Sequence, residues 1–133
     1  MSTAEERAPE IKAAIGINQL FGMNVARAIR WHKGGIEEWS ALEWAGAMAG
    51  EAGEAANAAK KLKRLECQIA SVNEPGRQFD DIHEAQAAVA REAADTIIYA
   101  LLLMARVGVD NPEALIREIF NTKSEQYDFP ERI

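Results

Sequence analysis

The chain has 133 residues, 48% of them hydrophobic, and a formal net charge of −6. Such a length suits one domain over residues 1–133, and the apolar content excludes a disordered acidic chain. The negative balance gives no general attraction to nucleic acid or to an anionic membrane surface, so neither partner is expected.

In chain order, the opening MSTAEERAPEIK lacks the basic region and apolar run of a signal peptide. Helical periodicity predicts a first helix over residues 10–32, stopped by Gly34 and Gly35. A second begins near Ser40, where SALE places Ser40 and Glu43 as a capping box, and runs to residue 66. Just beyond it stands Cys67, the single cysteine, which excludes an internal disulfide and a thiolate zinc cluster and fits a reducing cytoplasm. The stretch SVNEPGRQFDD, with Pro75 and Gly76, reads as a polar turn region. A third helix is predicted over residues 82–107, ending at Gly108, and its longest apolar run, residues 97–105, is far short of a bilayer. Asn111 caps a short fourth helix with Pro112 at its first position, and Pro130 marks an unwound tail. The expected class is therefore all-α, a bundle of about four helices.

Two of these helices carry acids in an unexpected place. The third, AREAADTIIYALLLMARVG, is apolar nearly all round, which predicts burial, yet it contains Glu92 and Asp95. An isolated buried carboxylate costs several kcal/mol or more, so these groups must be protonated, paired or bound to a cation. The second helix, AGAMAGEAGEAANAAKKLKR, carries Glu51 and Glu54 beside a stripe of Gly46, Gly50 and Gly53. Each of those glycines costs about 1 kcal/mol in a helix interior, and the stripe lets another helix or a ligand approach the backbone. If the two helices lie antiparallel, four carboxylates converge, and divalent cations are the cheapest large compensation for their repulsion. All-oxygen ligation suits Mg²⁺ or Mn²⁺. The bland alternative, two solvated acid pairs, stays open on the acids alone. A ferritin-like di-iron site is excluded because neither His32 nor His83 lies three residues after a Glu, and there is no Walker-type phosphate loop.

The pairing of EAGE with EAAD, each on a helix, resembles the signature of the MazG-like, all-α nucleotide pyrophosphohydrolases. The likeness continues through RWHKGGIEEWSALEWAGAMAGEAGEAANAAKKLKR, REAADTIIYALLLMARVGVD and FNTKSEQYDFPERI, in the same order. It is greatest to the bacteriophage-type branch acting on purine deoxynucleotides, which includes the MazZ-like enzymes. The segment over residues 66–88 is longer than in many small members, and Lys123, Ser124 and Glu125 replace the common basic ending of the last helix.

The resemblance implies hydrolysis of a nucleoside triphosphate, dGTP first and dATP second, to the monophosphate and pyrophosphate. Two or more Mg²⁺ or Mn²⁺ ions per site would be held by Glu51, Glu54, Glu92 and Asp95, with Glu54 as candidate general base. It also implies a homodimer or homotetramer with sites built partly from two subunits, in the cytoplasm, that of the host cell if the chain is phage-encoded. Candidate phosphate contacts are Asn57, Lys60 and Lys61 on the second helix, Tyr99 four residues after Asp95, and Asn121, Lys123 and Ser124 on the fourth. Candidate base contacts are Trp31, His32 and Trp39 around the glycine turn, and Asn18 on the first helix. Solvated helix ends for the lysines, core filling for Tyr99 and the tryptophans, and a solvated Asn18 remain open; Trp44 is most simply core. A different class, a non-catalytic helical oligomer or partner-binding module, is the alternative.

Overall fold

A computed structural model describes residues 14–68 and 75–133, side chains of 68 and 75–80 excepted. The described residues form four α-helices and one short 3-10 turn, without a strand. We number the helices α1 (Ile17–Ala28), α2 (Ala41–Gln68), α3 (Pro75–Arg106) and α4 (Pro112–Gln126), with the 3-10 turn, Gly35–Glu38, between α1 and α2.

The start expected at residue 10 lies outside the described residues; α1 begins at Ile17 and ends at Ala28, short of the predicted residue 32. Beyond it the chain tightens, with Arg30 N–H donating to Arg27 O and Trp31 N–H to Ala28 O, while His32 N–H also reaches Ala28 O. Gly35 has φ +65°, which a side chain disfavours, and a Cβ on Gly34 would lie 3.3 Å from Glu38 Cβ. The turn thus favours glycine at 35 for its backbone conformation and leaves little room for a side chain at 34. The capping box forms as expected: Ser40 N–H donates to Glu43 Oε2 at 2.7 Å, and Glu43 N–H to Ser40 Oγ at 3.2 Å.

The third helix starts at Pro75, seven residues before the predicted residue 82. Proline reads as a breaker inside a helix, but in the first turn its fixed φ and missing N–H fit the helical start. It ends as the glycine foretold: Gly108, at φ +89°, donates to Ala105 O while Val109 N–H reaches back to Met104 O. Asn111 caps α4 by accepting from Ala114 N–H, with Pro112 next.

Helices α2 and α3 form a long hairpin with the most extensive packing in the chain. They run antiparallel, because the middle of α2 (Glu51) meets Asp95 on α3, while Lys61 and Leu65 further along α2 meet Asp81 and Glu84 earlier on α3. Helix α1 packs across α3, and α4 reaches the others chiefly through α1. The main core is Ala28, Trp44 and Leu102, with Ile36, Trp39, Tyr99 and Leu103 packed round it. Ile82, Ala85, Leu101 and Pro112 are the other buried apolar residues among those described.

That core is small, and it corrects the expected burial of α3. Ile97 is 59% exposed and Asp95 lies on the surface, because among the described residues α1, α2 and the 3-10 turn cover only part of the helix. The glycine stripe is open too: a Cβ on Gly46, Gly50 or Gly53 would meet nothing within 4 Å. No described helix is long and apolar enough to cross a membrane.

A candidate metal centre between two helices

The hairpin brings the two acid pairs together. One carboxylate oxygen each from Glu51, Glu92 and Asp95 lies within 4.8 Å of the others, Glu51 and Glu92 half-buried and Asp95 exposed. Glu54 joins from the exposed flank of α2. Its carboxyl holds a proton above the ordinary carboxylate range, first because it hydrogen-bonds Glu92, then because of the negative charge on Glu92, some loss of solvent and the charge on Asp95, while a hydrogen bond with Glu51 opposes the shift. All four acids therefore feel one another, and exposure of Asp95 means that charge repulsion rather than burial is the problem to be solved.

The donor set fits a hard divalent cation. Octahedral Mg²⁺ with ligands at about 2.1 Å takes oxygens roughly 3–4 Å apart. Small side-chain turns bring oxygens spaced up to 4.8 Å into that range.

Glu51 and Asp95 line a cavity of about 200 Å³ with Arg27, Trp31, His32, Trp44, Tyr99 and Leu102 among its walls. Its aromatic wall is held by side-chain bonds, one of them long-range. Trp44 donates from Nε1 to Ile36 O at 2.8 Å, and Arg106 donates from Nε to Trp39 O at 2.7 Å while reaching Glu37 at 3.5 Å. His32 Nδ1 lies 2.7 Å from Glu38 Oε2, and its ring stands edge-on to Trp39 and Trp44, 4.5 and 5.2 Å away.

Of the residues expected at the site, the structure thus gathers Glu51, Glu54, Glu92, Asp95, Tyr99, Trp31 and His32, with Trp39 behind His32. Trp44, expected as core, is 1% exposed. Asn57 and Lys60 are exposed further along α2. Lys61 lines a different cleft, with Leu65, Glu84 and Arg91, because the helix carries it two turns away from Glu54.

The remaining candidates are tied elsewhere within this chain. Asn18 donates to Asn111 Oδ1 at 2.8 Å and accepts from Glu113 N–H at 3.0 Å, so it joins α1 to the start of α4. Asn121 grips the backbone of Ile133, donating to its O and accepting from its N–H, both at 2.9 Å. Ser124 is buried, 5% exposed, and with Lys123 borders an apolar cavity shared with Ile116, Phe120 and Phe129. That cavity has no residue in common with the acid site, so none of the three closes it from the same chain.

Sequence reading missed Arg27 and Asn24. Arg27 lines the acid cavity and holds its guanidinium 4.9 Å from the Trp31 ring centre, a pairing that its spacing of four residues from Trp31 made available. Asn24 is 3% exposed and donates from Nδ2 to Ile98 O at 2.8 Å, while its Oδ1 has no partner. An unsatisfied buried acceptor costs about 1–3 kcal/mol. Comparison with protein families, curated proteins and solved structures finds no match to this chain.

Proposed function

We propose that this chain is a metal-dependent nucleoside triphosphate pyrophosphohydrolase of the MazG-like kind, acting on a purine deoxynucleotide, dGTP or dATP. The observation that carries the reading is the convergence of Glu51, Glu92 and Asp95 from two helices within 4.8 Å, beside a cavity lined by Glu51, Asp95, Tyr99 and Arg27. Such a set has little to recommend it as a structural feature, since like charges oppose packing, and much as a cation site facing a polyphosphate.

Bound there, two or more Mg²⁺ or Mn²⁺ ions supply neutralisation of the phosphate oxygens and activation of the attacking water. The water oxygen forms its bond to the α-phosphorus as the bond from that phosphorus to the bridging oxygen breaks, releasing pyrophosphate. Glu54, on the open flank, takes the water's proton. Arg27 offers its guanidinium and Tyr99 its hydroxyl to phosphate oxygens, and half-burial of Glu51 and Glu92 limits stray water.

The working form in this reading is a homodimer or homotetramer. Its support is the surface one chain leaves uncovered: Leu42 is 82% exposed, Met23 68%, Ile119 58% and Phe129 53%, and the glycine stripe of α2 faces open space. A second copy is also what would bring Lys123 to the acids. The same surface favours the second reading, a non-catalytic oligomer or partner-binding module.

Incubating purified protein with each nucleoside triphosphate and Mg²⁺ or Mn²⁺ separates the two. Monophosphate plus pyrophosphate, lost on chelation, is expected; a folded oligomer that yields no product from any nucleotide leaves the binding module.

A further inference from the structure

The acid cavity, about 200 Å³, is below the 300–1,000 Å³ usual for a small-molecule site, so it cannot house a whole nucleotide. Its aromatic wall offers little free stacking surface, because His32 and Trp44 already pack on one another and on Trp39, and the Arg27 guanidinium lies over the Trp31 ring. A second cavity, of about 400 Å³, adjoins it and shares two walls, Arg27 and Ile98. The rest of its lining is Leu20, Met23, Asn24, Ala26 and Arg30.

This cavity is mostly apolar and contains one polar group with nothing to do. Asn24 donates to Ile98 O, which fixes its amide with Nδ2 on that side and leaves Oδ1 as an acceptor. That oxygen is buried and unpartnered. Ile98 itself lies three residues, under one turn, beyond Asp95, so the acceptor stands beside the acid site along α3.

Resting on the pyrophosphohydrolase reading, we infer that the 400 Å³ cavity is the nucleobase subsite and that Asn24 Oδ1 accepts a hydrogen bond from an N–H on the base edge. Guanine, with a ring N–H and an exocyclic amine, and adenine, with an exocyclic amine, both carry such a donor. Unsubstituted purine carries none on its six-membered ring. Oδ1 has less than 1 Å² open to water in the free chain, so the base enters by turning a lining side chain. Met23, unbranched and 68% exposed, is a lining side chain free to turn. Arg27, common to both cavities, then lies where base and phosphates join.

The test compares dGTP, dATP and unsubstituted purine deoxyriboside triphosphate in wild type, in Asn24→Leu and in Met23→Trp, which fills the cavity and leaves Asn24 in place. Wild type is expected to prefer the donor-bearing bases in kcat/KM by roughly 10–100-fold. Asn24→Leu is expected to erase that ratio, and Met23→Trp to raise KM for every purine. The ratio within one preparation does not depend on how much protein is folded. Binding of the corresponding monophosphates without metal, followed by calorimetry, gives a readout apart from turnover. Hydrolysis with an unchanged ratio in Asn24→Leu and an unchanged KM in Met23→Trp overturns the subsite and keeps the pyrophosphohydrolase. Monophosphate binding that Asn24→Leu weakens, without hydrolysis of any triphosphate, keeps the subsite and overturns the enzyme; neither binding nor hydrolysis overturns both.

Discussion

The turn between α1 and α2 and the tail after α4 are both rich in aromatic residues, and they are anchored in opposite ways. At the turn, Trp44 and His32 bond to Ile36 O and Glu38 close by, and Trp39 O is tied across the molecule by Arg106 at the far end of α3. In the tail, Tyr127 and Phe129 stack on each other at 5.8 Å and remain 64% and 53% exposed, and the side-chain bonds of Asn121 and Arg132 stay within α4 and the tail. The chain spends its directional bonds where a wall beside the acids must stay in place. It leaves apolar area, which attracts without direction, where only another surface can complete it. A site built on the first region and an assembly built on the second should then respond to different substitutions.

The largest separation is expected at the acids. Asp95→Ala should lower turnover by about three orders of magnitude, a loss of several kcal/mol of transition-state stabilisation, and leave the molecular mass in solution unchanged. Activity and mass measured on the same sample check this; substantial residual activity would move the reaction elsewhere. Trp44→Ala comes next. It removes the largest fully buried side chain together with its bond to Ile36 O, and should cost about 3–5 kcal/mol in denaturant unfolding.

The contrast also explains what could be read without a structure. Signals contained in a few neighbouring residues were legible: the Ser40–Glu43 capping box, Asn111 with Pro112, the stop at Gly108, and two acid pairs at helical spacing. Pro75 misled because the same residue ends a helix or opens one according to what lies on either side. Asn24 and Arg27 were overlooked since their importance comes from partners far along the chain, Ile98 in one case and the acid pair in the other. The burial predicted for α3 failed on the exposed Ile97 for a related reason: an apolar face states a need for cover and does not say which chain provides it.

At the other region, Ile119→Asp with Phe120→Asp places charge on apolar side chains 58% and 43% exposed, on the surface of α4. If a second copy covers that surface, the mass by light scattering should fall to that of one chain while the helical content measured by circular dichroism holds. An unchanged mass would assign the assembly to other surfaces, such as the open stripe on α2.

The smallest effect follows from the charge balance of the acids, and its sign depends on pH. Glu54 binds its proton more tightly in the folded chain than in the unfolded one, chiefly through its hydrogen bond with Glu92 and the charge there. Without metal, this group favours the folded state at low pH, and that benefit is lost as pH rises through its folded value. A divalent cation competes for the same oxygens and supplies the opposing charge at the pH where protons no longer do. Free Mg²⁺ at ten times its Kd should therefore raise Tm by roughly 5 °C near pH 7.5. The increment should shrink as pH falls, because protons compete with the cation for the carboxylate oxygens. Scanning calorimetry at a series of pH values, with and without Mg²⁺, measures it. In Asp95→Ala the increment should fall at every pH, whereas the paired α4 substitutions, if they act only on assembly, should leave it intact in the resulting monomer; loss of the increment there would mean that the second copy supplies part of the cation site.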